Sequence, residues 1–443
     1  MQHDKHSKHS SKRRLDKSLY RPTPVRAVVR DKNYRKLAWQ WCNTNIFRPL
    51  GVAIKGVLFG LGTLGKQIIG IHQKHPKQAK RFWQAVALAA LIIIPARILL
   101  KEQPAVINDG VRIEHIVANQ IVTVATTKND QILFQDDGLS HGFGNDIARQ
   151  YAEHLGVELA LVTYTSEQQA LQAVQHGAAD FALIGYQDTL LTGEETVAMM
   201  PVACQSEQGS EFAKAGLADN LVFMTANKNG ELKDNLQDFL CNAETIKRLS
   251  YLAKFHDRTL LKNEYNAQHF SKAVRRLPLY EYAFKLSAKE FDHDWHLLAM
   301  VGYQESHLNT KKMSPTGVQG MMMLTQDTAK QMGVKDRNDV VQSIHGGAKY
   351  LQILKKQFAH IDASDRLWFV LASYNMGPNA VRQIQSELKA QGKNPNSWLN
   401  VYIYLNEHIE ENSRYAQCLR YVTNIRNYIE AIKLKEASAQ KQA

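Results

Sequence analysis

A single carboxylate, Glu305, follows an apolar helical run in the second half of the chain. Residues 297–301 read Leu-Leu-Ala-Met-Val and precede it on what the pattern predicts to be one helix. A carboxyl group at the end of such a helix is expected to lie against an apolar surface that excludes water. This environment raises its pKa and suits it to general acid catalysis. Glutamate is also common on exposed helix surfaces, so its significance depends on the segments that follow.

Two polar segments follow Glu305 at regular spacing. Residues 314–323 read Ser-Pro-Thr-Gly-Val-Gln-Gly-Met-Met-Met, and residues 372–378 read Ala-Ser-Tyr-Asn-Met-Gly-Pro. The proline and glycines of the first segment favour tight turns, and Gly320 permits a close backbone approach. These two segments are therefore predicted to be loops or helix ends that lie near Glu305.

Together with residues 303–307, these segments resemble the lysozyme-like transglycosylase domain of lytic murein transglycosylases. The resemblance covers roughly residues 285–432. The order Met-Met-Leu-Thr at residues 322–325 is typical of the membrane-bound transglycosylase F branch. In the general family the position of Met323 usually holds a glutamine whose amide meets the substrate, so that hydrogen bond is absent here.

The resemblance implies a mechanism with one catalytic carboxylate. Most glycosidases use a second carboxylate, but Asp327 by its spacing begins a helix and is expected to be an N-cap or surface residue. In the resembling family the N-acetyl group of MurNAc assists cleavage of the MurNAc–GlcNAc bond. Glu305 would protonate the glycosidic oxygen and then remove the proton of the MurNAc 6-hydroxyl, leaving a 1,6-anhydromuramoyl end. The alternatives are a goose-type hydrolytic muramidase and a non-catalytic peptidoglycan-binding scaffold of an envelope complex.

The resemblance also implies a set of substrate-binding residues around Glu305. Ser314 would contact the acetamido region, and a sugar would closely approach the backbone at Gly320. Tyr374 would donate to Glu305 or to the acetyl carbonyl, unless it is a buried structural tyrosine. Ser306 has the alternative of a purely local hydrogen bond. The histidines lack metal-ligand spacing, so we assign no metal and no cofactor. The full predicted set is Ser306, Ser314, Gly320, Met322, Met323, Tyr374, Asn375 and Tyr421.

The positive charge is concentrated at the N-terminus. The chain of 443 residues carries a formal net charge of +13, of which residues 1–82 contribute +16 and the remainder −3. The basicity belongs to a tail, so the folded part is not expected to bind nucleic acid. Residues 1–82 are predicted to be a largely disordered cytoplasmic tail, in which residues 46–71 form either a membrane-surface amphipathic helix or an ordinary packed helix.

Residues 83–100 form the most apolar segment of the chain. The uninterrupted apolar part is short for a transmembrane helix, but Arg97 can snorkel near one end and extend the span. Lysines precede the segment and acidic residues follow it, which places the tail in the cytoplasm and the rest outside. We therefore predict an uncleaved inner-membrane signal anchor with the catalytic domain in the periplasm. A cleaved signal peptide followed by membrane association and a buried soluble helix are the alternatives.

Residues 117–270 are predicted to form a parallel α/β lobe. The segments 120–125, 157–162 and 179–184 read as strands, separated by helices over 143–155 and 168–176. This order resembles the first lobe of periplasmic solute-binding domains of the amino-acid type. The second lobe is largely deleted, so Asp146 is expected to be structural, and the lobe is expected to act as a spacer or docking surface without a tight solute pocket.

The predicted fold class is therefore α/β plus all-α, with one solute-binding-like lobe followed by a lysozyme-like helical domain over residues 277–432. Turns of the helical domain are expected at Gly333, 346–347, 377–378 and 395–396. Cys204 and Cys241 can form a disulfide in an oxidising compartment or remain free thiols. The expected partners are peptidoglycan strands, the membrane and other envelope proteins.

Overall fold

The computed structural model describes residues 112–129, 131–136, 139–187, 197–227, 229–314 and 317–442. The predicted basic tail and the predicted anchor over residues 83–100 lie outside the described residues. Within these described ranges, none of the helices is both long and apolar enough to cross a membrane. Two domains, an α/β lobe and a helical domain, belong to one compact unit.

A five-stranded mixed sheet forms the centre of the α/β lobe. Its strands in chain order are β1 Ile121–Thr127, β4 Glu158–Tyr164, β5 Phe181–Gly185, β6 Val197–Pro201 and β7 Leu221–Ala226, with β2 Phe134–Asp136 and β3 Leu139–His141 as a separate hairpin. The spatial order is β4-β1-β5-β7-β6. The first three strands are parallel, whereas β7 runs antiparallel to both β5 and β6. The three predicted parallel strands are confirmed, but the sheet is mixed because two unpredicted strands extend it.

Six described helices belong to the lobe: α1 Arg112–Asn119, α2 Phe143–Leu155, α3 Glu167–Gln175, α4 Ser206–Lys214, α5 Gly230–Cys241 and α6 Ala243–Phe255. Helix α3 packs through alanines and small aliphatics on one face of the sheet, and the larger core lies on the opposite face. Helices α5 and α6 are separate, because Asn242 caps α6 by accepting a hydrogen bond from the Glu244 N–H. A disulfide joins Cys204 to Cys241, so these cysteines are not free thiols.

The helical domain begins after the lobe and consists of α7 Glu264–Val274, a short 3-10 turn Leu277–Leu279, α8 Glu281–Phe291, α9 Trp295–Ser306, α10 Gln326–Met332, α11 Val340–Gln357, α12 Ala363–Met376, α13 Pro378–Ala390, α14 Trp398–Glu407 and α15 Ser413–Gln442. Helix α9 lies at its centre and contacts α8, α11 and α15. Residues 297–303 of α9 are all buried, as the apolar run predicted. The predicted order of an α/β lobe followed by a helical domain is confirmed.

The turn predicted at residues 346–347 is wrong, because both glycines lie inside helix α11. A Cβ atom at Gly347 would come within 2.7 Å of the Met322 side chain, and one at Gly346 within 2.3 Å of Val334. The two glycines therefore let neighbouring segments pack closely against α11. The turns predicted at Gly333 and at residues 377–378 and 395–396 do separate helices.

The lobe and the helical domain share core residues. Helix α14 packs on α6 and adds Leu399 and Ile403 to the apolar core of the lobe. Phe255, at the end of α6, belongs instead to the core of the helical domain. This exchange of apolar side chains means that the two domains bury one another's surfaces.

Candidate active site

Helix α9 delivers Glu305 to the interior of the helical domain. The helix starts at Asp294, whose side chain accepts a hydrogen bond from the His296 N–H, and it ends directly after Glu305. His307 and Leu308 then adopt left-handed conformations with φ of 57° and 56°. Two consecutive non-glycine residues in the left-handed conformation raise the free energy of the backbone, so contacts with the surrounding structure must stabilise them. The chain therefore turns away sharply and leaves Glu305 half-buried on the last turn of the helix.

The Glu305 carboxyl has one direct hydrogen-bond donor among the described side chains. The Tyr421 hydroxyl on α15 donates to Glu305 Oε1 at 2.7 Å, and Lys312 Nζ donates to the Glu305 backbone carbonyl at 3.1 Å. Burial raises the pKa of Glu305 to about 7, against the opposing effects of the Tyr421 hydrogen bond and the Lys312 charge. Glu305 can therefore exist in both protonation states near neutral pH.

The Tyr421 hydroxyl is protonated near neutral pH. Its side chain is buried, and its pKa lies well above the ordinary value because of burial, followed by the nearby Glu305 and Tyr374. A phenol in this state can donate a hydrogen bond to either form of the carboxyl but cannot supply a competing charge. Tyr421 therefore orients the carboxyl oxygen without locking it into the ionised state.

Residues 312–314 and 317–325 lie beside Glu305, and hydrogen bonds to their backbone groups fix them to neighbouring segments. The Met322 N–H donates to Ser343 Oγ at 3.2 Å, and the Tyr374 hydroxyl donates to the Met322 carbonyl at 2.8 Å. Gly320 has φ of 87°, and a Cβ atom there would lie 1.8 Å from the Arg337 carbonyl oxygen. The close approach that Gly320 permits is thus to the Arg337 backbone rather than to the expected sugar.

Two of the predicted substrate-binding side chains are fully buried. The Ser306 hydroxyl donates to the Gly302 carbonyl of its own helix at 2.9 Å, which is the local alternative. The Met322 side chain belongs to the apolar core, as methionines often do. The contact of Met322 with the predicted site residue Tyr374 is made by the Met322 backbone carbonyl. A substrate contact by either side chain stays a prediction that this burial does not favour.

Ser314 and Met323 are more accessible parts of the same loop. Ser314 shapes its own turn, because its Oγ accepts from the Val318 N–H at 3.0 Å and its carbonyl accepts from the Gly317 N–H at 3.0 Å. Met323 is half-buried and has φ of 46°, another left-handed residue at the site. These conformations fix the loop beside Glu305.

Tyr374 lies near Glu305 but does not make the predicted hydrogen bond to it. Its hydroxyl is directed to the Met322 carbonyl, and Tyr421 occupies the position on the carboxylate. Burial raises the pKa of Tyr374 well above its usual value, and the proximity of Glu305 raises it further. Asn375 follows on the last turn of α12 and is half-buried. The structure thus brings Glu305, Tyr374 and Tyr421 together, and Tyr421 rather than Tyr374 donates to the Glu305 carboxyl.

Sequence reasoning missed three residues that build this site. Lys312 contacts the Glu305 backbone, Arg337 donates to the carbonyls of Gly317 and Leu324, and Ser343 accepts from the Met322 N–H. A lysine pair at residues 311–312 between the acid and the serine turn was a visible signal for the first. No local pattern marks the other two, because they act on backbone groups far away in sequence.

A second cluster of charged groups lies at the junction between the two domains. His256 Nε2 donates to Asp146 Oδ2 at 2.8 Å, and Arg149 donates to both carboxylate oxygens of Asp365 at 2.9 and 3.0 Å. An adjacent cavity of about 860 Å³ is lined by both domains, including Asp146, Arg149, Asp365 and Trp398. Asp146 is engaged with protein side chains, as expected of a structural residue.

No group of three or more histidine, cysteine, aspartate or glutamate residues in the described part of the chain has the arrangement of a metal site. The chemistry that the candidate site supports is proton transfer at the Glu305 carboxyl. A group with a pKa of about 7 and a neutral hydroxyl partner can donate a proton and take one back.

The comparison with known proteins agrees with this location of the site. Residues 282–397 match the family described as "Transglycosylase SLT domain". This segment of the chain is therefore similar to that family. Glu305 and the loop that holds Gly320 lie within the matched segment, as does Tyr374, whereas Tyr421 lies beyond its end.

Two curated relatives show the same relationship over longer stretches. The chain is similar to the membrane-bound lytic murein transglycosylase F of Pseudomonas fluorescens, with 37% identity over 223 residues, which cover 47% of this chain and 46% of the relative. It is 33% identical over 281 residues to the protein of the same name from Photobacterium profundum, which covers 60% of this chain and 52% of the relative. The chain spans about half the length of these relatives. The predicted resemblance to the transglycosylase F family is confirmed.

A solved structure, the lytic transglycosylase Slt inactive mutant from Pseudomonas aeruginosa, aligns with 46% of this chain and 34% of its own. The TM-score is 0.28 and the identity 20%, so this alignment carries no argument about the site.

Proposed function

We propose that this protein is a lytic transglycosylase that cleaves the MurNAc–GlcNAc bond of peptidoglycan and leaves 1,6-anhydromuramoyl ends. The observation that carries the proposal is the Glu305 carboxyl, whose pKa is raised to about 7 and whose Oε1 accepts a hydrogen bond from Tyr421. A single acid of this kind can serve two successive proton transfers near neutral pH.

In the first step protonated Glu305 transfers its proton to the glycosidic oxygen while the bond from that oxygen to C1 of MurNAc breaks. The oxygen of the MurNAc N-acetyl group assists from the opposite side and stabilises the positive charge that develops at C1. The leaving sugar departs with a neutral hydroxyl group, and Glu305 becomes a carboxylate. The Tyr421 hydrogen bond stabilises this ionised form.

In the second step the Glu305 carboxylate removes the proton from the MurNAc 6-hydroxyl as that oxygen bonds to C1. The bond closes the anhydro ring, releases the acetamido oxygen and regenerates the protonated acid. Water is neither consumed nor produced, so the enzyme returns to its starting state. The substrate supplies the nucleophile, which explains how the reaction proceeds without a second catalytic carboxylate.

The loop and the two helices around Glu305 would bind the sugar chain. Ser314 and Met323, on the accessible part of the loop, and Asn375, on the last turn of α12, are the proposed contacts. Tyr374 is proposed to act mainly through the loop, since its hydroxyl holds the Met322 carbonyl. Ser306, Gly320 and Met322 would shape the site from within rather than touch the substrate through their side chains.

Mass analysis of the products released from purified sacculi tests the proposal. Anhydro ends support it, whereas reducing ends, each heavier by one water, would assign the protein to the goose-type hydrolases. An absence of cleavage under conditions in which the protein is folded would favour the non-catalytic scaffold. Each digestion is run beside Glu305→Gln to exclude a contaminating enzyme.

We further propose that residues 83–100 anchor the protein in the inner membrane with the catalytic domain in the periplasm. The relatives named above are called membrane-bound, which supports a membrane association. The mature protein should then retain its N-terminus and sediment with membranes in high salt. Recovery of a soluble form beginning near residue 101 would contradict this topology.

A further inference from the structure

Helix α15 contacts both Glu305 and the segment that follows helix α6. Tyr421 on one side of this helix donates to Glu305, and Arg426 lies five residues later. At 3.6 residues per turn, five residues correspond to a rotation of about 140°, so the two side chains leave the helix on opposite flanks. Helix α15 therefore stands between the candidate catalytic acid and whatever Arg426 contacts.

Arg426 contacts the segment that leaves the last helix of the α/β lobe. Its Nε donates to the Phe255 carbonyl at 3.1 Å, and its Nη2 donates to the Asp257 carbonyl at 2.6 Å. Asn427 adds a second donor to the Asp257 carbonyl at 2.8 Å. The Arg426 side chain is only 1% exposed, so water cannot replace these bonds without opening the interface.

The charge of Arg426 is balanced on the same helix. Its Nη1 donates to Glu430 Oε1 at 2.6 Å, and Arg258 from the lobe segment approaches Glu430 Oε2 at 3.3 Å. Burial alone would raise the pKa of Glu430, but Arg426, His141 and Arg258 together hold it below its usual value. The carboxylate stays ionised, and the arginine stays fixed between it and the two carbonyls.

We infer that Arg426 is a positioning residue that clamps α15 to residues 255–258 of the lobe and thereby holds the Tyr421 hydroxyl on Glu305. The inference rests on the proposed function and deepens it, because it gives the lobe a part in the reaction. The lobe serves as a fixed support for the helix that orients the acid. A solute is not required for this part.

A small displacement of α15 is enough to disturb the site. The Tyr421–Glu305 bond is 2.7 Å long, and a shift of roughly 1 Å would take it beyond hydrogen-bonding distance. Removal of the guanidinium leaves the Phe255 carbonyl without its side-chain donor and Glu430 with less compensating charge. The lobe segment and α15 would then move apart to admit water.

The experiment measures the ionisation of Glu305 directly. The infrared C=O band of the protonated carboxyl is followed against pH in the full chain, as the difference between each protein and its Glu305→Gln counterpart. Tyr421→Phe provides the reference, since loss of its hydrogen bond must raise the pKa of Glu305. The other groups that face Glu305, Lys312 from the loop and Tyr374 from α12, are left unchanged.

Arg426→Met is expected to raise the Glu305 pKa in the same direction as Tyr421→Phe, by up to about tenfold in proton affinity. The double variant should show no further rise, because both substitutions remove the same hydrogen bond. Turnover should fall through kcat with KM nearly unchanged. If Arg426→Met does not fold, Arg426→Lys takes its place, since lysine keeps the charge beside Glu430 but cannot reach both carbonyls.

Arg149→Met is the control, because it removes a half-buried arginine from the same junction but one that pairs with α12 rather than α15. It should leave the titration of Glu305 unchanged. A folded Arg426 variant that titrates like the wild type overturns the inference, and so does an equal shift in Arg149→Met. The titration needs no turnover, so its result stays separate from the sacculus digestion that tests the proposed function.

Discussion

Two glutamates of the helical domain, the half-buried Glu305 and the buried Glu430, have opposite ionisation behaviour. Glu305 has a pKa of about 7, raised by burial, whereas the pKa of Glu430 lies below its usual value in spite of burial. The direct donor to the Glu305 carboxyl is a neutral phenol, and Glu430 lies between two arginines. The kind of partner, more than the depth of burial, decides whether such a carboxyl can exchange protons or only hold structure.

Asp146, at the junction between the two domains, resembles Glu430 in having a pKa below its usual value. Burial would raise the pKa of Asp146, but the hydrogen bond from His256 and the charge of Arg149 hold it below the usual value. The junction is thus built from compensated charges that stay fixed. At the candidate active site, in contrast, nearby groups do not fully offset the effect of burial on the pKa of Glu305. The Glu305 carboxyl can therefore hold a transferable proton near neutral pH.

The largest expected effect is on turnover by Glu305→Gln. The change is nearly isosteric but removes the transferable proton, so cleavage of sacculi should fall by about a thousandfold or more while the fold is retained. Released muropeptides are quantified by mass spectrometry. Asp327→Asn is the control, since Asp327 is exposed on the first turn of α10 and should be dispensable. Cleavage by Glu305→Gln near the wild-type rate would point to another acid.

At the junction, Arg149→Met should lower the free energy of unfolding by about 4 kcal/mol at pH 8, because it leaves the buried Asp365 carboxylate without its cation. The loss should shrink towards pH 5, since burial already raises the pKa of Asp365 and the isolated carboxyl can then be protonated. Denaturant titrations measure both values. Lys247→Met, in an exposed pair with Glu407, should cost less than about 1 kcal/mol. Equal losses of unfolding free energy in the two variants would contradict the expectation that the ion pair at the junction stabilises the protein more than the surface pair.

The raised pKa of Glu305 should also appear in stability. The native state holds this proton up to about pH 7, whereas the unfolded chain releases it near pH 4.5, so wild-type stability falls between these values as pH rises. Glu305→Gln removes this loss and should be more stable than the wild type at pH 8, by at most about 3 kcal/mol. The difference should vanish near pH 4. An unchanged difference across this range would mean that Glu305 titrates normally.

The smallest effect is expected at Ser306. Ser306→Ala removes a buried hydrogen bond to the Gly302 carbonyl and should cost about 1 kcal/mol of unfolding free energy, with KM for glycan strands unchanged. Thermal unfolding and initial rates are compared for the same preparations. Ser314→Ala serves as the contrast, because its hydroxyl shapes a more accessible turn. A raised KM with normal stability for Ser306→Ala would restore the predicted substrate contact.

Local sequence patterns were sufficient for the elements of the site but not for its contacts. The apolar run before Glu305, the helix that carries it and the turn at Ser314 could be predicted because neighbouring residues determine them. The bond from Tyr421 joins residues 116 apart, and that from Arg426 to Phe255 joins residues 171 apart. Spacing along the chain carries no information on such pairs, so the bond from Tyr421 to Glu305 was not predicted, whereas a bond from Tyr374 to Glu305 was one of two alternatives.

The same limit applies to the fold. The β-branched runs of the parallel strands were visible, whereas β6 contains alanine, two methionines and a proline and gave no comparable signal. The glycines of α11 resembled a turn because glycine favours turns in isolation. Their actual reason, the space taken by Met322 and Val334, depends on segments that become neighbours only after folding.

The disulfide between Cys204 and Cys241 makes the lobe sensitive to the order of events during biogenesis. It closes a segment of 37 residues, and a crosslink of that length lowers the entropy of the unfolded chain by an amount worth about 4 kcal/mol. In a reducing compartment the lobe must fold without this contribution. Because the lobe also supports the helix that carries Tyr421, oxidation after the proposed export would complete the support of the candidate active site only in the compartment where the protein is proposed to meet peptidoglycan.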